Sequence, residues 1–154
     1  MRMTRGSFIT NGVSAYMAKF RFEGIEQYTE ALAKIGGKNA VGILKYAVYP
    51  GAAVVANAIR SAMSAHRVTG DLQDSLSLSV MRNDDGYVNT KVTFAGYDRN
   101  GTPNAIKAAA LESGTSRGQK ATHFISKATK GATDKAIAEM SKALDEKLGQ
   151  IMEG

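Results

Sequence analysis

The sequence predicts an α+β fold, in which a small antiparallel sheet with a β-hairpin is packed by a long kinked helix and by a C-terminal amphipathic helix. Apolar residues recur at three- or four-residue spacing over residues 41–63 and again over residues 137–151, as on one face of a helix. Between these stretches, apolar and polar residues alternate on either side of Asn83-Asp84-Asp85-Gly86, a strong hairpin signal. With 154 residues, of which 44% are apolar, the chain is long enough for one domain with its own core.

We expect two parts along the chain: a flexible basic arm at residues 1–12 and a single α+β domain at residues 13–154. The arm carries Arg2 and Arg5 and has little hydrophobic periodicity, so nothing in it predicts a helix or a strand. The boundary is placed where alternating and then helical patterns begin.

The first half of the domain is predicted to be mainly helical. Apolar and basic residues alternate over 18–22, which favours a short strand, and helical spacing over 25–35 follows. Gly36-Gly37 is expected to end that first helix. Pro50-Gly51 interrupts the next helix, but its apolar stripe keeps the same phase on both sides, which favours one kinked helix over two. The alanine-rich surface of this helix fits core packing, and it also fits a helix that packs between subunits.

The second half is predicted to hold the sheet and two more helices. Thr69-Gly70-Asp71 is expected to turn the chain into a strand at residues 75–80, and the hairpin then returns as one strand over 88–94. Pro103 fits the first turn of a helix that runs to about Ser113. The closing helix is expected from about Thr133 to Met152, with its apolar residues on one face.

The net charge of +6 is concentrated in two segments. Residues 1–22 and residues 113–133 each contain four cations and no acid, so the rest of the chain is close to neutral. Basic segments of this kind favour polyanions or acidic protein surfaces as partners. A loose arm and a solvated loop would explain the same charges without any partner.

Several classes of chemistry lack their usual signatures. The chain has no cysteine, which excludes disulfides and thiolate metal sites, and its two histidines, His66 and His123, lack metal-binding spacing. Gly114-x-x-x-Gly118-x-Lys120 does not have the lysine directly after a glycine that a phosphate-binding loop requires. We therefore expect neither an enzyme nor a cofactor. Without a run of about 18 apolar residues, we also expect no membrane partner.

The stretch LESGTSRGQKATHF, residues 111–124, combines a helix end, a basic loop and an aromatic residue. Helical residues are predicted to end near Ser113, and Gly114 is expected to take a left-handed conformation as the helix C-cap. A basic loop with Arg117 and Lys120 follows, and then His123-Phe124. Such a loop is suited to contact with a partner.

Three short motifs, in this order, resemble those of the tail-completion, or head–tail joining, proteins of long-tailed bacteriophages. They are a Thr-Gly-x-Leu turn into a strand, an acidic-x-Gly-Thr element, and an entry to the last helix with an aromatic residue. The matching residues are Thr69, Gly70, Leu72, Ser75 and Leu76; Glu112, Gly114 and Thr115; and Phe124, Ile125 and Ala128. The resemblance covers roughly residues 24–152.

The resemblance implies a structural virion protein that forms a ring at the neck of the phage. Its partners would be other copies of itself, a head-side connector or stopper protein, and a tail-terminator or tail-tube protein. It would be found at the top of the tail in the virion, and in the host cytoplasm during assembly. The candidate assembly contacts are Arg2, Arg5, Gly114, Thr115, Arg117, Lys120, His123 and Phe124. The alternative is a basic DNA-binding accessory protein without sequence-specific readout. A ring at the neck could also make non-specific contact with the exiting DNA.

Overall fold

The α+β fold class is confirmed. The computed structural model describes residues 18–19, 33, 37–66, 70–84 and 87–153. The helices are α1 (Gly37–Met63, continued by a 3₁₀ turn at Ser64–His66), α2 (Asp71–Asp74), α3 (Asn104–Ser113) and α4 (Phe124–Met152). The strands are β1 (Ala18–Lys19), β2 (Leu76–Leu78), β3 (Arg82–Asp84), β4 (Tyr87–Asn89) and β5 (Lys91–Phe94).

The two long helices, α1 and α4, pack along each other and form most of the core. Val55 and Ile59 of α1 are buried together with Ala136 of α4, and Leu144 is buried in a second cluster nearer the C-terminus. The helices approach closely at Gly51, where an added Cβ would overlap the Met140 side chain. A continuous pair of helices therefore supports everything else in the described part of the chain.

Helix α1 runs through Pro50 without a break, so the prediction of one helix rather than two is confirmed. Proline has no N–H, and the carbonyl of Tyr46 therefore lacks the usual hydrogen bond from residue 50. The Tyr46 side chain is half exposed. The break in the hydrogen-bond ladder thus lies toward solvent, where it is best tolerated, and the buried face of the helix is unaffected.

The sheet differs from the prediction because the returning strand is divided in two. Among the described strands, β4 pairs only with β3 in the hairpin, whereas β5 lies between β1 and β2 in a second antiparallel sheet. Thr90, which is 1% exposed, separates β4 from β5 and donates its hydroxyl to the carbonyl of Ser79. The Ser79 hydroxyl accepts a hydrogen bond from the Lys91 N–H. The Ser79 N–H still donates to the carbonyl of Lys91 at 2.8 Å, so side-chain hydrogen bonds are added to the backbone pairing at the end of β2. Val80 lies outside β2.

Helix boundaries differ from the prediction at two places. Helix α1 begins at Gly37, a residue that we expected to end the preceding helix. Helix α4 begins at Phe124, nine residues before the predicted start. Phe124, Ile125 and Ala132 are buried in the core cluster. Their burial outweighs the weak helix propensity of Thr129 and Gly131 in this stretch.

The N-terminal predictions fall largely outside the described residues. Strand β1 confirms the first two residues of the strand predicted over 18–22, and it pairs with β5. Residues 20–22, most of the expected helix over 25–35 and the whole arm at 1–12 lie outside.

The loop that joins the sheet to α3 is organised around Asp98. One carboxylate oxygen accepts hydrogen bonds from the N–H groups of Asn100 and Thr102, both at 2.8 Å. The other lies 2.8 Å from Lys107 Nζ on α3. The hydrogen bond from Lys107 and those from the backbone hold the pKa of Asp98 below the usual value of 3.8. Asp98 therefore fixes the start of α3 relative to the sheet.

We expect Asp98→Asn to lower the melting temperature at neutral pH, because it removes the charge that Lys107 contacts. A depressed pKa stabilises the fold above the unfolded-state value, and this contribution is lost as pH falls through the lower, folded-state value. The difference in melting temperature between wild type and variant should therefore shrink below about pH 4. Thermal unfolding followed by circular dichroism from pH 2.5 to 7 measures it. A difference that stays constant over this range would contradict the role assigned to the carboxylate.

Candidate functional site

The loop between α3 and α4 is closed at its base by hydrogen bonds between the two helix ends. The N–H and the hydroxyl of Thr122 both donate to the carbonyl of Leu111, at 2.9 and 2.7 Å. The N–H of His123 donates to the carbonyl of Glu112 at 3.1 Å. Residues 114–121 are consequently a loop on a fixed stem.

The side chain of Glu112 caps the N-terminus of α4. Glu112 is 8% exposed, and its carboxylate accepts from the N–H groups of Ile125 at 2.8 Å and Ser126 at 3.2 Å. The Ser126 hydroxyl donates to the same carboxylate. These N–H groups occupy the second and third helical positions, which a local N-cap side chain normally satisfies. The residue at the N-cap position, His123, makes no such bond.

Gly114 is the C-cap of α3, and its positive φ agrees with the prediction. Its φ of 76° and ψ of 179° lie outside the left-handed helical region, in a region that is almost restricted to glycine. An added Cβ would lie 2.6 Å from the carbonyl oxygen of Gln119 and 2.9 Å from the nitrogen of Ala121. Gly114 is therefore required both by its conformation and by the close approach of the returning backbone.

The tip of the loop is held by its own hydrogen bonds and presents two cations. The N–H of Thr115 donates to the carbonyl of Gln119 at 2.9 Å, and the Thr115 hydroxyl accepts from the Gln119 N–H at 3.3 Å. Arg117 and Lys120 are exposed, as expected for contact residues. We call residues 115–120 the basic loop. Its backbone is ordered by contacts that leave both charged side chains free to meet a partner.

The structure corrects the interpretation of Phe124 as a contact residue. Phe124 is 3% exposed and packs edge-on against Phe94, with 6.3 Å between the ring centroids. It is therefore a core residue at the start of α4. His123 is exposed and has a φ of 54°, so it remains accessible to a partner. Lys127 and Lys130, which belong to the basic segment at residues 113–133 and precede the predicted start of the closing helix, lie exposed on α4.

The remaining candidate residues lie elsewhere or outside the described chain. Gly70 precedes the short helix α2, whose residue Leu72 packs against the core cluster, and α2 leads directly into β2 as the motif predicted. Thr69, Arg2 and Arg5 lie outside the described residues.

No group of three or more histidine, aspartate or glutamate side chains that could hold a metal ion occurs in the described ranges. One segment, Asn39–His66, is long and apolar enough to cross a membrane by length and composition alone. Within this segment, 44% of an 18-residue window is buried inside the protein, and buried residues of the segment pack against α4. The absence of a membrane partner stays a prediction.

No protein-family model matches the chain, and neither does any curated protein or any solved structure.

A comparison of Gly114 with Gly118 separates two effects of a substitution on stability: steric overlap of the added Cβ and strain from a positive φ. Gly114 and Gly118 both have positive φ, but an added Cβ meets nothing within 4 Å at Gly118. We expect Gly118→Ala to lower the free energy of unfolding by about 1 kcal/mol and Gly114→Ala by at least roughly 2 kcal/mol. Chemical denaturation of both variants measures this. Equal losses would mean that the contact with Gln119 and Ala121 relaxes freely.

Proposed function

We propose that the protein is a structural virion protein that forms a ring at the neck of a long-tailed phage and joins the head-side connector to the tail tube. The observation that carries the proposal is the basic loop, which is exposed, cationic and held on a hydrogen-bonded stem. A contact element that is ordered before binding loses less conformational entropy when a partner docks. A loop that only connects two helices does not need hydrogen bonds that order its tip.

The motifs of the resemblance also support one another within the fold. Leu72 from the first motif and Ile125 and Ala128 from the third pack in the same core cluster. Glu112 from the second motif accepts a hydrogen bond from Ile125. The three stretches thus meet in one part of the fold, next to the stem of the basic loop, which supports a shared role in assembly.

A DNA-binding accessory protein is the second candidate. It is favoured by Lys127 and Lys130, which are exposed on the first turns of α4 and follow the basic loop in the chain. With Arg117 and Lys120 they form a segment without acids. Phosphates would be attracted to such a segment whatever the base sequence.

Charge reversal in the basic loop tests the proposal. We expect Arg117→Glu with Lys120→Glu to change the free energy of unfolding by less than about 0.5 kcal/mol, because both side chains are exposed. Particles assembled with this variant should contain separate heads and tails, because like charges would face the acidic surface of the partner. Electron microscopy counts the joined particles.

Lys127→Glu with Lys130→Glu is the matched control, since it makes the same change of charge on the neighbouring helix. This control should join heads to tails as the wild type does. Joining by the loop variant at the wild-type level would refute the proposed role of the loop. A gel-shift titration with duplex DNA at two salt concentrations tests the alternative. A DNA-binding protein should bind tightly, and the logarithm of its binding constant should fall with the logarithm of salt concentration with a slope of about −0.9 for each phosphate neutralised. Both variants should then bind DNA more weakly than the wild type.

A further inference from the structure

A shallow groove of about 290 Å³ lies between α1 and α4, on the side where Pro50 interrupts the hydrogen-bond ladder. Residues spaced by three or four positions on each helix form its walls. Besides Ala143, which lies at the base, they are Tyr46, Tyr49 and Pro50 from α1 and Glu139, Lys142 and Glu146 from α4. We call these six residues the aromatic–acidic groove. Tyr46 and Tyr49 are 50% and 58% exposed, which is high for aromatic side chains in a helix that forms the core.

The groove has the chemistry of a receptor for cationic side chains. Lys147 Nζ already lies 4.7 Å from the centroid of the Tyr46 ring, a cation–π contact. Tyr49 has no equivalent cation among the described residues. Glu139 and Glu146 likewise have no ion-pair partner within the described ranges. The groove lining also holds one cation, Lys142, so two carboxylates against one ammonium leave the lining acidic by a single charge. These carboxylates and the face of Tyr49 can receive an incoming arginine or lysine.

We propose that the aromatic–acidic groove receives the basic loop of a second copy of the chain. The loop carries Arg117 and Lys120 without an acid between them, and the groove supplies Glu139 and Glu146 for them to pair with. Arginine pairs with carboxylates and also stacks on aromatic faces, which suits it to Tyr49. The inference rests on the proposed function in one respect only, namely that repetition of this contact closes a ring.

The basic loop that enters this groove comes from another copy, because a chain cannot bring its own basic loop to its own groove. Phe124 and Glu139 are separated by fifteen residues of continuous helix, or roughly 22 Å at 1.5 Å per residue. The stem bonds at Leu111 and Glu112 hold the basic loop at the Phe124 end. Contact between two different patches is heterologous, and its repetition gives a closed ring or an open filament.

Exchanging the charges tests this contact. The loop variant is Arg117→Glu with Lys120→Glu, and the groove variant is Glu139→Lys with Glu146→Lys. Each should fail to self-associate alone, because its altered patch meets a wild-type patch of like charge. An equimolar mixture should associate again, because the acidic loop of one variant fits the basic groove of the other, and the two unaltered patches also match. Size-exclusion chromatography with light scattering measures the assemblies.

Engineered cysteines give an independent readout, since the natural chain has none. We expect Ser116→Cys with Lys142→Cys to form a ladder of disulfide-linked oligomers under mild oxidation. Ser116→Cys with Lys130→Cys is the control, and it should stay largely unlinked. The proposal is overturned if the wild type stays monomeric and no ladder forms, if the mixture of charge variants fails to associate, or if the control pair links equally well.

The outcomes separate this contact from the neck function. Charge rescue together with a ladder, but with open filaments as the product, would support the contact and count against the ring. Normal joining of heads to tails by the groove variant, with no ladder, would leave the proposed function intact and refute this contact.

Discussion

The hydrogen bonds between the Glu112 carboxylate and the start of α4 are the interaction on which the junction of α3, the basic loop and α4 depends. Burying a carboxylate is unfavourable unless its oxygens are satisfied, and here three donors from Ile125 and Ser126 satisfy them. The negative charge also lies at the positive end of a helix dipole. One side chain thus fixes where α4 begins, ties α3 to it and sets the direction in which the basic loop leaves the domain.

Helix α4 then acts as a rigid support that separates two surfaces of opposite character. The basic loop lies at its N-terminal end, whereas the aromatic–acidic groove lies along its C-terminal half against α1. The close approach at Gly51 and Met140 holds the two helices together beside this groove. Because both surfaces belong to one rigid unit, the geometry of any repeated contact would be defined by the fold itself rather than by flexible segments.

Local patterns predicted the elements whose causes are local. The apolar stripe on both sides of Pro50 predicted one continuous α1, and the capping position of Gly114 predicted its positive φ. The cap at Glu112 was missed because its donors lie thirteen and fourteen residues further along the chain, beyond any local capping pattern. The start of α4 was missed for a related reason, since Phe124 becomes helical through burial and not through propensity. Division of the returning strand depends on Thr90 and Ser79, which meet only after the chain has folded.

Amide hydrogen exchange at Ile125, followed by NMR, tests the central claim most directly. If Glu112 caps α4, the Ile125 N–H should exchange as slowly as amides in the interior of that helix, although it lies in the first turn, where amides usually exchange quickly. Glu112→Gln keeps one acceptor but turns an N–H₂ group toward backbone donors, so exchange at Ile125 and Ser126 should accelerate by about 10-fold or more. Amides around Ile59 in α1 should exchange at unchanged rates. Exchange of the wild-type Ile125 amide as fast as that of the exposed loop residues would contradict the account.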